Sequence, residues 1–325
     1  MHVSIIVPGG AAVLSSIVGP FKVFSGINQY LIDTGQRTDP FYEIDFVGIS
    51  RETMLYDGIF SIRPTRQIQE IDRTDLIVIT TIFGEIPEEL ERNREFIPWI
   101  RKMHYDREAE VASLCLGAFL LAKTGLVNGK ECSTHWAFVD QFEQMFPEVN
   151  LQPHRIITED AGVYSSGGSY SFLNLVLHLV QKYNGKDVAN WAAKMFEIEI
   201  DRTDQGPFFI FQGQKSHEDI LVKEIQHYIE ENYQESFSLD DLSHRFNLSK
   251  RNLIRRFKRA THNTPLQYLQ RVKMEAAKRD LEKTNHSISE IMFDTGYNDP
   301  KSFRQTFKKI VGIPPSIYRT RYGRA

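Results

Sequence analysis

Two stretches near the C-terminal end repeat one design, and that repetition limits the fold more than anything else in the 325 residues. In the first, SLDDLSHRFNLSKRNLIRRFKR, Ser238 suits the N-cap of a helix, and Asp241 stands where a capping box returns the hydrogen bond. Leu239, Leu242 and Phe246 follow at spacings of three and four and share one face. Asn247 suits a turn, and Ser249 suits a second N-cap. The second helix then divides, with Leu253 and Phe257 inward and Lys250, Arg251, Arg255, Arg256, Lys258 and Arg259 around the rest. Such a helix fits a DNA major groove better than a protein core.

The second stretch, NHSISEIMFDTGYNDPKSFRQTFKK, follows the same plan. Ser287 and Glu290 form a capping box around a helix expected over Ile288 to Asp294, Gly296 allows the turn, Asp299 caps, and Pro300 takes the first helical position. Phe303 and Phe307 echo Leu253 and Phe257, while Lys301, Arg304, Gln305, Lys308 and Lys309 stay outward. Fifteen residues separate Leu242 from Phe257, and sixteen separate Ile291 from Phe307. Between the two units a long helix is expected over Leu266 to Leu281, opened by Thr264 and Pro265. Leu269, Val272, Ala276 and Leu281 form its apolar face, and Arg271 and Lys273 its exposed one. It reads as a rigid bridge. An amphipathic helix between His217 and Tyr233 is expected to pack behind the first unit.

Charge separates this region from the rest. Residues 215–325 hold 21 Lys and Arg against 14 Asp and Glu, a balance of +7, and residues 1–214 hold 18 against 28, a balance of −10. The net charge of −3 conceals a basic module suited to a polyanion. Only two cysteines occur, and no apolar run is long enough to span a bilayer. The opening MHVSIIVPGG lacks a basic leader and reads as a first strand and turn, so a cytoplasmic, thiol-reduced protein with no membrane partner is expected.

The front region alternates strands and helices. His2 to Val7, Glu43 to Ile49 and Asp75 to Thr80 read as buried strands, Gly58 to Ile62 as a hairpin or edge piece, and Ser15 to Ile32 and Pro87 to His104 as helices. Gly19-Pro20 marks the start of the stronger pattern in the first of these helices. The pattern indicates a parallel sheet covered on both faces. In EVASLCLGAFLLAKTGLVNGKECSTHWAF an apolar strand runs into Cys115, Gly117 permits a tight turn, and a helix follows from about Ala118. A side chain at such an apex sits at the carboxyl edge of the sheet, where open α/β folds place ligands. The helix N-terminus favours a thiolate there. His135 lies twenty residues on and can return to face it.

This elbow, together with Asp160 to Phe208, resembles the PfpI-type, class I glutamine amidotransferase-like superfamily. The C-terminal stretch resembles AraC/XylS-type DNA-binding domains at Gly296-Tyr297, Phe303, Phe307, Gly312, Pro314-Pro315 and Tyr318-Arg319. The combined resemblance covers nearly the whole chain. It implies an α/β front domain (residues 1–202, a flavodoxin-like, glutamine amidotransferase-like parallel-sheet sandwich), a linker (203–216), and an all-α DNA-binding domain with two helix-turn-helix units (217–325). Two departures matter. No carboxylate lies between Pro8 and Pro20, where catalytic members place an acid, and Asn174 stands where many relatives carry Asp.

The resemblance implies a sensor of a small-molecule effector that dimerises through its front domain; the missing acid argues against catalysis, the spacing of Cys132 and His135 against a metal site, and no cofactor is expected. A pocket is expected around Cys115, His135, Gly84, Gly167 and Gly168, although glycines at strand exits are also ordinary turn residues. On double-stranded DNA the residue-by-residue resemblance assigns base contacts to Lys250, Arg251, Ile254 and Arg255, and to Lys301, Ser302, Arg304 and Gln305. Arg256, Lys258, Arg259, Lys308 and Lys309 are expected on phosphates. The competing reading is a cysteine enzyme of amidase or glyoxalase-like type fused to a DNA-binding domain.

Overall fold

Buried residues alternate between the two faces of successive strands. Val3, Ile5 and Val7 join one core and Ile6 the other, and Leu76 and Val78 oppose Ile77 and Ile79. Strands apolar on both faces have to be covered on both, and helices do so here. The computed structural model describes residues 1–200, 202–215 and 217–324. Asp201 of the expected front domain, Ser216 at the end of the expected linker and Ala325 lie outside the described residues. Two units, Met1–Gln205 and Gly206–Ala325, divide the chain.

The strands of the first unit are β1 (His2–Val7), β2 (Glu43–Gly48), β3 (Thr53–Leu55), β4 (Phe60–Ile62), β5 (Arg66–Gln67), β6 (Leu76–Ile79), β7 (Glu110–Leu114), β8 (Glu131–Cys132), β9 (Asn150–Leu151), β10 (Ile157–Asp160) and β11 (Val163–Ser166). Seven of them form one sheet of order β10-β11-β7-β6-β1-β2-β5, parallel except for the β10–β11 hairpin at its edge. In register, Val3 of β1 lies opposite Ile44 of β2 and Leu76 of β6. Helices α1 (Leu14–Asp33), α6 (Phe172–Asn184) and α7 (Lys186–Met195) cover one face. On the other lie α2 (Ile86–Arg92), α3 (Phe96–Arg107), α4 (Gly117–Lys123) and α5 (Val139–Met145).

Helix α1 covers the span expected from Ser15 to Ile32 and runs unbroken through Gly19 and Pro20, whereas a second helical expectation is corrected. Gly19 is there for contact, since a Cβ would stand 2.6 Å from the Phe172 ring of α6. The stretch from Pro87 to His104 is two helices, because the Asn93 side chain turns away to donate to the Gly9 carbonyl at 2.9 Å and accept from the Gly9 amide at 2.8 Å. Helix α3 restarts beyond it with Pro98 in its first turn, where no N–H is needed.

The second unit is helical: α8 (Ile220–Glu231), α9 (Leu239–Arg245), α10 (Lys250–Thr261), α11 (Pro265–Lys283), α12 (Ile288–Asp294), α13 (Pro300–Val311) and α14 (Pro315–Tyr322). The capping boxes at Ser238–Asp241 and Ser287–Glu290 both form, and a third, Thr264–Gln267, starts α11. Leu242, Leu253 and Phe257 build one core with Tyr268 and Leu269 of α11, and Ile291, Phe303 and Phe307 build another with its Met274, Ala277 and Leu281. Lys273 is not on an exposed face. It is buried, donates to the Gly296 carbonyl at 3.2 Å and lies 5.3 Å from the centre of the Tyr297 ring. Burial pushes its ammonium pKa down.

The turns of the two units are left-handed at equivalent places, Asn247 with φ 50° and Gly296 with φ 71°. At Gly296 a Cβ would also meet the Gln234 carbonyl oxygen at 2.1 Å. Gly296→Ala should therefore lower stability by more than about 1 kcal/mol, the cost of a left-handed L residue alone. Asn247→Gly should stay close to neutral, because the backbone there already accommodates a side chain. Urea denaturation of both variants checks this, and equal losses would contradict it.

Candidate functional site

Each recognition helix is fixed from below by aromatic burial and from its start by a cap. In α10 the Ser249 hydroxyl accepts from the Asn252 amide at 3.3 Å, and Leu253 and Phe257 are fully buried. Lys250, Arg251, Arg255, Lys258 and Arg259 are exposed, and Ile254 is half-buried between them. In α13 the Asp299 carboxylate accepts from the Ser302 amide at 2.6 Å, and Phe303 and Phe307 are buried. Lys301, Ser302, Arg304, Gln305, Lys308 and Lys309 are all exposed. The cations in each last turn also complement the negative end of the helix dipole.

The structure gives Arg256 a partner within the chain. Its Nε lies 2.6 Å from Asp219 Oδ2, and Asp219 also caps α8 by accepting from the Val222 amide at 3.1 Å. Arg256 thus straps α10 to α8, and its guanidinium holds the Asp219 carboxyl below the usual carboxylate range. Lys250 pairs with Asp240 at 2.6 Å, and Arg255 donates to Asn252 Oδ1 at 3.2 Å. Both contacts are on the surface, where such pairs are weak and readily exchanged for a stronger anion.

The elbow is present but buried. Cys115 has φ 53°, a left-handed backbone that a non-glycine residue adopts only when its surroundings enforce it. Its amide donates to the Ser166 carbonyl at 3.0 Å, and the Thr134 hydroxyl donates to its carbonyl at 3.3 Å. Gly117 is required by close approach, since a Cβ would stand 2.6 Å from the Ile79 carbonyl oxygen. The helix terminus beside the thiol does not win over desolvation. Cys115 is 4% exposed, and burial pushes its thiol up to about 12 against contacts with Thr81 and the Leu116 backbone. Among the described residues no hydrogen bond joins it to His135, whose Nδ1 accepts from the Ala137 amide at 3.1 Å. Burial lowers the His135 pKa.

Of the expected pocket residues, Cys115 and the Gly167 turn are neighbours through Ser166, and Thr134 ties the chain beside His135 to the same place. Gly167 and Gly168 are buried under Gln205, whose Nε2 donates to the carbonyls of Thr134 at 2.9 Å and Pro153 at 2.7 Å. Gly84 lies on an exposed turn. A carboxylate that sequence reading missed stands beside Gly84 and Gly10. This is Glu89 of α2, 5% exposed, its Oε2 without a partner and its pKa raised by burial. It shares a helix face with buried Ile86 and Leu90, which was the available signal. Among the described residues no cluster of His, Cys, Asp and Glu is arranged to hold a metal ion.

Comparison with known proteins agrees with this geometry. Residues 15–182 match the DJ-1/PfpI family, and residues 242–321 match a helix-turn-helix domain. The chain is 28% identical over 209 residues to the HTH-type transcriptional regulator GbdR of Pseudomonas aeruginosa, covering 63% of this chain and 56% of that one. It is 24% identical to the HTH-type transcriptional regulator GlxA of Rhizobium meliloti, covering 66% of each. The chain thus spans little more than half the length of GbdR, 56%. A crystal structure of a putative transcriptional regulator from Vibrio parahaemolyticus superposes with a TM-score of 0.53 at 25% identity, covering 60% of this chain and 98% of that one.

The buried elbow has a chemical consequence. Cys115 and Cys132, both raised to about 12, should resist iodoacetamide at neutral pH in the folded protein and react on unfolding. The fold favours the neutral thiols, so their contribution to stability is complete below the ordinary value of 9.0 and falls as pH rises toward about 12. Peptide mapping of the labelled sites decides the matter. Alkylation of Cys115 in the folded protein at the rate of a free thiol would contradict a buried elbow.

Proposed function

We propose that this chain, which belongs to the DJ-1/PfpI family and carries an AraC-type helix-turn-helix domain after it, regulates transcription by reading double-stranded DNA with two helix-turn-helix units. The observation that carries this reading is the duplication itself: two capped helices, each with an aromatic or aliphatic underside and a cationic exposed face, mounted on one helix. Helix α11 has 19 residues and so spans about 28 Å at about 1.5 Å per residue. That length suits recognition helices set about one DNA turn, roughly 34 Å, apart along one face of the duplex.

Lys250, Arg251, Ile254 and Arg255 then meet bases in one groove segment, and Lys301, Ser302, Arg304 and Gln305 in the next. Arginine matches the paired acceptors of guanine, glutamine the donor and acceptor of adenine, and Ile254 a thymine methyl. Lys258, Arg259, Lys308 and Lys309 set affinity and its salt dependence through phosphates.

The front unit acts in this proposal as a sensor and not as an enzyme. A neutral, buried thiol and an imidazole turned to its own backbone supply neither a nucleophile nor its base. An effector there acts only by favouring one of two arrangements of the protein. Homodimerisation through the front unit is supported by apolar side chains left exposed on α1 and the β3–β4 hairpin, among them Phe21, Met54, Phe60 and Ile59, the last 75% exposed. No helix among the described residues is long and apolar enough to cross a membrane. A regulator that reads DNA is expected in the cytoplasm.

Selection of bound sites from random duplex DNA by the full chain tests the reading. A defined motif should emerge. Arg255→Ala should relax preference at one base position by roughly 1 to 3 kcal/mol, and Lys308→Ala should weaken all sequences evenly with a shallower salt dependence. Enrichment of no sequence would overturn the proposal.

A further inference from the structure

Helix α6 is a core helix with one anomaly. Phe172, Leu175, Val176, Leu179 and Val180 are buried against the sheet, yet Asn174, His178 and Gln181 recur at spacings of four and three and make a polar stripe on another face. On the outside of a protein such a stripe is ordinary. Here it borders a cleft of about 250 Å³, closed by Asn190 of α7, by Ile157 of β10, and by Arg202 and Thr203 of the chain that follows α7. At roughly 30 Å³ per water molecule, that is space for about eight waters, the size of a small metabolite.

The cleft is built rather than incidental. Its outer wall is stitched down at both ends: Asn174 Nδ2 donates to the Glu199 carbonyl at 2.6 Å, and the Ile156 amide donates to the Thr203 carbonyl at 3.2 Å. His178 is oriented by Glu159 at 2.8 Å. Among its described residues the lining combines one guanidinium, Arg202, with the carboxamides of Gln181 and Asn190 and the Thr203 hydroxyl. Leu177 and Ala189 supply an apolar side. Hydrogen-bond donors, a guanidinium and apolar side chains lining one cleft match a carboxylate carried on a short aliphatic body.

We infer that this cleft between α6, α7 and β10 is a binding site for a small aliphatic carboxylate, with Arg202, Gln181 and Asn190 at the carboxylate and Leu177 and Ala189 along the body. The site is separate from the Cys115 elbow, with which it shares no lining residue. Its use as the effector site rests on the sensor reading above, because the wall at Thr203 continues in sequence into the helical unit at Gly206. Binding of the carboxylate itself does not depend on that reading.

Calorimetric titration of the full chain with butanoate and hexanoate, and with butanamide and hexanamide, tests the inference. At least one acid should bind saturably at one site, with its amide at least about tenfold weaker, the loss expected when a charge-assisted contact is removed. Arg202→Gln should bring the acid down to the amide. Gln181→Trp, at an exposed position that folding tolerates, should block both ligands, and Cys115→Ser should leave binding unchanged. Saturable binding by neither acid, equal binding of acid and amide, or loss in Cys115→Ser with retention in both cleft variants would each overturn the site. Repeating the DNA titration with the bound acid separates the two proposals: binding without a change in DNA affinity upholds the cleft and sinks its role as effector site.

Discussion

Helix α11 has to be buried at both ends in different cores, and the helical unit depends on that requirement. Tyr268 and Leu269 complete the core under α10, and Met274, Ala277 and Leu281 complete the core under α13. Neither helix-turn-helix unit has a complete apolar centre without its share of α11, so the separation of the two recognition helices is fixed by packing and not left to a hinge. At the seam two lysines are buried, Lys273 on the Gly296 carbonyl and Tyr297 ring, and Lys278 on Glu275 at 3.0 Å and the Phe209 carbonyl. Leaving either ammonium unpaired there would cost far more than a surface charge, so these contacts pin the turn of the second unit and the chain entering the first.

In the front unit the decisive balance is between a helix terminus and desolvation at Cys115. The helix dipole is worth about 0.3–1 kcal/mol at an exposed site and up to about 2 kcal/mol at a partly buried one. Removal from water acts more strongly in the opposite sense, and the raised thiol follows. The left-handed elbow at Cys115 is closed around its own chain, with Gln205 over Gly167 and Thr134 on the Cys115 carbonyl.

How much of this was legible in the sequence follows from the range of each interaction. Ser238, Ser249, Ser287 and Asp299 announce their roles because a cap is satisfied within three residues. The doubly covered sheet was visible for a similar reason, since unbroken apolar strands leave no alternative. Long-range partners were not visible. Nothing near Arg256 in sequence indicates Asp219, 37 residues away, and a lysine on an amphipathic helix gives no sign that Gly296 will cover it. The break between α2 and α3 is set by Gly9, and the closing of the elbow turn by Gln205, both far along the chain. The polar stripe of α6 was present as letters, and only the cleft beside it gives it a use.

The central claim is that two rigidly spaced helices read one face of DNA. Hydroxyl-radical footprinting of the full chain on a selected site measures this directly. Two protected groove segments centred about one helical turn, roughly 10 base pairs, apart on the same face are the predicted result. A single protected segment, or protection spread evenly around the duplex, would contradict it.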